Sequence, residues 1–537
     1  MSSSVFATAY FSRNTAGLNL GVVASWTDAA SGAGGTSPAD FTTAGNTFTV
    51  TNNAASYVFS TALTISGAGS SLSFAPAGTV TVTGTTTINA PTITIGTGAT
   101  VTTTAAYTGT LNLTGTGILN YNVATYPTMG SFASGSTMSY GGTSINHIIP
   151  AATYGNLTLA STGTSNFMTT AATTTWTVAG NLVFSAAGTV NLCNVSTGTA
   201  NPTLNVTGTF TITSTGTFNV NASTGGTVTA RMNVTSNFSM TTAGVLNVNS
   251  ATTGGTQNAK LKVTGTFGLT TGTVRIGNSS VTNAVDTLEV TGNTTITSGT
   301  LTVSGGNGTT TNNAFVETGT FTHTSGTVNV SVNTGGSQTN NFIVNSSATP
   351  AFTLQGGTFF LGQATGSSTS VNKFTVAGGF TETSGNFYVA YGSVAGTYKD
   401  TVNINGAATI SGGIFAGGPN YGDPVVNFNS ASGNSLTVSG TGQMLLIWST
   451  TCGNVIFNTA ADVSITSTAS SSLYFENTSN TSATATFNVN GNFSASSTSG
   501  VPVNWGTGII SGNVMNVKGN ISITGGGAVT YVSSTGT

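Results

Sequence analysis

Four stretches decide the fold. They read Thr270-Thr271-Gly272-Thr273-Val274-Arg275-Ile276, Thr297-Ser298-Gly299-Thr300-Leu301-Thr302-Val303, Thr324-Ser325-Gly326-Thr327-Val328-Asn329-Val330 and Thr383-Ser384-Gly385-Asn386-Phe387-Tyr388-Val389. Each is a turn followed by a strand that alternates apolar and polar residues. Glycine recurs at one point of the turn, which suggests a corner with positive φ that glycine adopts without steric cost. Thr, Val and Ile suit a pleated, half-buried surface.

Around these turns runs a longer beat. Apolar-x-apolar segments start at Trp176, Leu204, Met232, Leu261, Leu288 and Phe315, and continue near Phe342, Phe374, Val402, Val426, Ile456, Phe487 and Met515. Their spacings are 28, 28, 29, 27, 27, 27, 32, 28, 24, 30, 31 and 28 residues. A fixed period in this range marks a repeat architecture. One repeat, such as Leu204 to Arg231, holds two clear strands and a short third, and cannot bury its apolar face alone. Stacking coil on coil buries it and pairs equivalent strands in parallel. The expected fold is all-β: a right-handed parallel β-helix (β-solenoid) of about 28 residues per coil.

The beat divides the chain. Residues 1–60 do not follow it and are read as an atypical N-terminal cap and assembly segment. Residues 61–175 are irregular coils, with Pro127 and Pro150 breaking the pattern. Residues 176–537 are the regular repeats. Phe315-Val316-Glu317 puts a charge where Val290 sits one coil earlier. That coil, and those starting at Phe342 and Ile456, are expected to carry bulges or slipped corners. Lys262 and Glu289 should pair across stacked coils. Asn205, Asn233, Asn403, Asn427, Asn488 and Asn516 share one outward position where amide ladders could form.

Composition narrows function. Charged residues are 3% of the chain, against roughly 25% in an ordinary globular protein. Not one Asp, Glu, Lys or Arg lies between Phe41 and Ala230. Without basic stretches there is no phosphate-reading surface for nucleic acid and no electrostatic membrane patch. No run of 18 apolar residues predicts membrane insertion, and Met1-Ser2-Ser3-Ser4 does not open a signal peptide. Hydroxyl and amide side chains must keep the surface wet, which points outside the cell. A disordered chain would lack the 37% hydrophobic content held in register here. Cys193 and Cys452 fall about nine coils apart, too far to bridge, and are expected as unlinked thiols.

Chemistry is sparse. Asp286 with Glu289, and Glu382 with Asp400, are the carboxylate pairs worth naming for glycoside chemistry, and none lies in an acidic face. His147 and His323 are isolated, so neither a metal site nor a catalytic triad has partners. Gly305-Gly306-Asn307-Gly308 lacks the Lys and helix start of a phosphate loop. The reading is therefore not an enzyme, with no catalytic, metal or cofactor residues.

Two further stretches bear on kinship. Ala9-Tyr10-Phe11-Ser12-Arg13, with Ala24-Ser25-Trp26, Pro38 and Phe48-Thr49-Val50, and Ile149-Pro150-Ala151-Ala152-Thr153-Tyr154-Gly155-Asn156-Leu157-Thr158-Leu159 resemble segments of large secreted adhesin-like surface proteins of Bacteroidota. Asp286-Thr287-Leu288 and Asp400-Thr401-Val402 are similar to that phylum's O-glycosylation motif. The resemblance implies glycan attachment at Thr287 and Thr401, here expected at coil corners. The family's C-terminal sorting domain has no counterpart in this sequence.

The first functional expectation is an extracellular structural β-solenoid, a filament subunit or adhesin shaft on a bacterial surface. Met515, Val517, Ile521 and Ile523 form a coil with nothing evident to cover it. The chain is therefore expected to continue further or to stack head to tail, with Trp26 and Phe41 on the complementary surface. A carbohydrate- or ice-binding surface, suggested by Thr rows at 79–83 and 100–104, is the alternative. A polysaccharide-degrading β-helix and an outer-membrane barrel stand behind it.

Overall fold

The computed structural model describes residues 7–51, 56–75, 78–84, 87–252, 255–278, 280, 283–306, 311–332, 337–363, 369–391, 399–418, 422–430, 433–448, 453–468, 472–476, 484–498, 502–504 and 512–525. Cys452, Asn307 and Gly308, and residues 526–537 lie outside them. The chain is a parallel β-solenoid with two compact units: Met1–Asn194, Asn201–Phe218 and Met232–Ser236, and Val195–Ala200, Asn219–Arg231 and Asn237–Thr537.

In the first unit, Ala9–Ser12 pairs antiparallel with Trp26–Thr27 and parallel with Thr47–Val50. Parallel stacking then proceeds from Thr47–Val50 to Ser71–Phe74, Thr87–Ile95, Ala106–Leu113 and Thr128–Phe132. The steps are short. Phe48, Leu72, Ile93 and Leu111 are register partners, spaced 24, 21 and 18 residues. The coil from Phe48 to Leu72 also holds Ser56–Val58 and Leu63–Thr64, and from Ser71 onward the coils carry two strands each. A third strand enters at His147–Ile148, stacked on Thr164–Met168, and the step then lengthens to 25 (Leu157 to Leu182) and 28 (Leu182 to Phe210). The irregular period of 61–175 is thus a change in strand number. The register shift between Thr108 and Thr110 falls opposite Pro91, which has no N–H for the ladder.

In the N-terminal segment, Trp26 is not the free surface expected of it. Its ring is fully buried, its Nε1–H donates to Leu20 O at 3.0 Å, and it packs edge-on against Phe48 at 5.2 Å. Phe41 and Tyr10 meet the same Phe48 ring at 5.4 and 5.5 Å. Trp26 belongs to the local core because its indole finds both an apolar wall and a carbonyl.

The second unit repeats three strands per coil, for instance Gln257–Val263, Phe267–Leu269 and Thr273–Gly277. Inward residues form columns along the stacking direction. One runs Leu261, Leu288, Phe315, Phe342, Phe374 and Val402. Phenylalanines stack within columns, Phe352 on Phe380 at 5.3 Å and 4°, Phe359 on Phe387 at 4.6 Å and 5°. Between columns they meet edge to face, Phe352 on Phe374 at 5.0 Å and 89°. Both arrangements suit the ring quadrupole.

Three expected irregularities resolve differently. Val290, Glu317 and Val344 are direct register partners, so no bulge carries Glu317 outward; it faces in. Phe342 stacks on Phe374 in unbroken register although 32 residues separate them, because the extra residues fall between strands. Ile456 is not a core residue: Phe457 lies against Val426, while Ile456 lies against Val425 and is 37% exposed.

The corner glycines follow the stacking. Gly326 has φ +85, and a Cβ there would sit 2.2 Å from Gly299 O. Gly299 itself has no positive φ; there the close approach of the preceding coil, Leu269 Cγ at 2.6 Å and Gly272 O at 2.9 Å from a Cβ, favours glycine instead. Gly326→Ala is expected to destabilise the chain by about 2 kcal/mol or more, whereas Ser325→Ala, at an exposed neighbour, stays within about 0.5 kcal/mol. Chemical unfolding of the two variants checks this.

Candidate functional site

The expected carboxylates do not converge. Asp286 and Glu289 share one strand, Val285–Val290, three residues apart, so alternation sends them to opposite faces. Glu289 lies outside, where Lys260 and Lys262 reach it at 2.5 and 3.0 Å, the second being the pair expected from the period. Asp286 lies inside and is fully buried. Glu382 and Asp400 are also buried, in different sheets.

What the second unit assembles instead is an internal polar column. Asp286, Asn313, Asn340, Asn372 and Asp400 are successive register partners, all buried. Asn313 donates to Asn340 Oδ1 at 2.9 Å, Asn340 to Asn372 Oδ1 at 2.9 Å, and Asn372 to Asp400 Oδ1 at 2.7 Å. At the other end Asp286 Oδ1 accepts from Asn249 Nδ2 at 2.8 Å and from Ala259 N at 3.2 Å. Asp286 Oδ2 and Asn313 Oδ1 have no hydrogen-bond partner among the described residues. Both are acceptors, and a proton on Asp286 gives them a donor.

Three more titratable groups turn inward. Glu317 accepts from Thr294 Oγ1 and from Gly319 N. His323 and Glu382 occupy one column, separated by Leu354, so they do not pair. The backbone of Ser325 and Gly326 lies near the His323 ring but outside hydrogen-bonding geometry. His147, in the first unit, is held by Gly141 O at 2.8 Å and packed on Tyr140. Among the described residues no group of three His, Cys, Asp or Glu could hold a metal ion. Cys193 is a buried thiol.

The exterior is built of repeated amides and hydroxyls. The expected outward ladder forms: Asn233 donates to Asn205 at 2.8 Å in the first unit, and Asn427, Asn458, Asn488 and Asn516 each donate to the preceding amide at 2.8–2.9 Å in the second. Thr287 and Thr401 are half-buried and outward. Contrary to expectation they sit within strands Val285–Val290 and Lys399–Ile404, not at corners. The Asp of each motif is sealed inside. One exterior feature went unread in the sequence: Phe360, Tyr388 and Tyr474 occupy an outward column, with Tyr391 and Trp448 packed alongside. Apolar residues at the polar beat of Phe359-Phe360-Leu361 and Phe387-Tyr388-Val389 were the available signal.

No helix among the described residues is long and apolar enough to cross a membrane. No family model, curated protein or solved structure matches this chain.

Burial raises the carboxyls of Asp286 and Glu382, lifts Glu317 to about 8 and Asp400 to about 7, and pulls His323 down to about 4. An acid that binds its proton more tightly when folded favours folding at low pH. That stability is complete below the ordinary carboxylate range and is lost as pH rises to 7–8. His323 opposes it, costing stability as pH falls from its ordinary 6.5 toward 4. Burial also lowers His147, but four acids outweigh two imidazoles, so thermal unfolding is expected at higher temperature near about pH 5.5 than near about pH 8.5. Asp400→Asn keeps the column's shape and removes one charge. It should stabilise by about 2 kcal/mol or more at the alkaline pH and little at the acid one.

Proposed function

We propose that this chain is an extracellular structural β-solenoid, a filament subunit or adhesin shaft on a bacterial surface. Catalysis forms no part of the reading. The observation that carries it is the use of the ionisable residues. The inward acids and His323 are locked in columns that support stacking, and the described surface offers amides and hydroxyls in place of a reactive constellation. The scarcity of charge and the resemblance to Bacteroidota adhesins support a place outside the cell.

Head-to-tail stacking is part of the proposal. In the last described coil, Ile521 and Ile523 continue the interior columns of Phe493 and Ala495, yet are 59% and 38% exposed. Met515 and Val517, half-buried, continue those of Phe487 and Val489. Apolar columns whose strands have no further partner among the described residues accept another parallel layer. That layer is either further chain or a second copy, and the proposal takes a second copy. Since Trp26 is sealed, Phe41 and its neighbours remain as the facing surface. A contact between unlike ends propagates.

Sedimentation velocity and negative-stain imaging test assembly. Threads that lengthen with concentration, and dissociate on Ile521→Asp with Ile523→Asp, are expected; a stable monomer at micromolar concentration contradicts the reading. Glycan attachment at Thr287 and Thr401 belongs to the same reading. Intact mass of native material should exceed the bare chain, and the excess should fall when both are changed to Ala. A bare chain mass contradicts it.

A further inference from the structure

We infer that the first-strand face of the last described coils binds a neutral polysaccharide chain lying along the stacking direction. Three outward rows meet there. The central row is the amide ladder of Asn403, Asn427, Asn458, Asn488 and Asn516. It lines a groove of about 550 Å3 whose wall includes Asn490 and Lys518. On the ladder's other flank the register places Val425, Ile456, Thr486 and Val514 in line. Ile456 and Val514 are 37% and 41% exposed, among the few large apolar side chains that meet solvent.

The chemistry of the rows names the ligand class. An asparagine amide has two N–H donors and two acceptor lone pairs. The ladder uses one of each, so every coil presents a further donor and a further acceptor at a constant step of about 4.8 Å. A hydroxyl both gives and takes, and a polymer of hydroxyls matches a row that does the same. Pyranose rings also carry C–H faces, which suit the Val and Ile row. Orientation by a few polar groups beside apolar contact is the usual composition of a ligand site. No carboxylate lines the groove and Lys518 is its single charge, which favours a neutral chain over an anionic one. The groove runs along the coils from Asn427 to Asn516 and Lys518, the last described coil included, and its ligand contacts do not require a second copy of the chain.

Affinity electrophoresis of the full chain tests it, in gels containing hydroxyethylcellulose, glycol chitin or alginate. Retardation by a neutral polymer is expected, with apparent affinity about tenfold weaker in Asn458→Leu and in Ile456→Asp, the loss of one contact group. Asn233→Leu, at the same ladder position in the first unit, should bind like the parent. Circular dichroism of each variant confirms that it is folded. Ile456→Asp alters an exposed side chain and leaves the ladder intact, so it reads out the site even if the ladder variant unfolds. No retardation by either neutral polymer overturns the inference, as does unchanged affinity in a folded Asn458→Leu or in Ile456→Asp. Retardation by alginate alone, removed by Lys518→Ala, also overturns it by assigning an anion site.

Discussion

Parallel pairing of each strand with its counterpart one coil away constrains every other feature of this chain. The ladder leaves each residue with two neighbours of its own structural position, before and after. A side chain therefore succeeds most readily if its type stacks on itself. Phenylalanine does so by offset ring contact, as at Phe352 and Phe380. Asparagine does so by amide donation, as at Asn458 and Asn427. A charge stacked on its like does not. This adds a structural reason for a composition almost without charge. Opposite charges do stack, as where Glu289 meets Lys260 and Lys262 of the preceding coil.

The same constraint governs the interior acids. Asp286 and Asp400 end a run of buried amides, where a residue is required that accepts from one side and makes no demand on the other. An aspartate in a low-dielectric column meets that requirement best with its proton on. The column is therefore a structural device whose cost depends on pH. Buried polar groups of this kind also fix register, because a slip of one residue would drive the entire amide row against apolar neighbours.

Much of this was legible in the sequence. The 28-residue beat, the Lys262–Glu289 pair and the outward Asn row are consequences of period alone, and period survives without any knowledge of loops. The misreadings share one cause. The sequence pairs Asp286 with Glu289 and Glu382 with Asp400 and gives the Glu317 coil a bulge, because a charge offers no sign that it faces inward. Column identity, which only the register shows, puts Asp286, Glu317, Glu382 and Asp400 inside. Ile456 fails similarly: the string Val455-Ile456-Phe457 offers two phases, and Phe457 takes the core through its contact with Phe428 and Phe415. The short coils before residue 147 looked irregular because period cannot report strand number. Trp26 looked like an interface because a lone aromatic in a polar segment carries no sign of its partners.

The register itself is open to direct measurement. Thr295, Thr322, Thr353, Thr381, Thr409 and Thr437 stand in line on second strands, one per coil. Spin labels on Thr295→Cys and Thr437→Cys, with Cys193 and Cys452 replaced, can be read by double electron–electron resonance. Five strand spacings give a single narrow distance of about 24 Å, although 142 residues separate the sites in the chain. A broad distribution, or a distance far from that multiple, would contradict the coil-on-coil account.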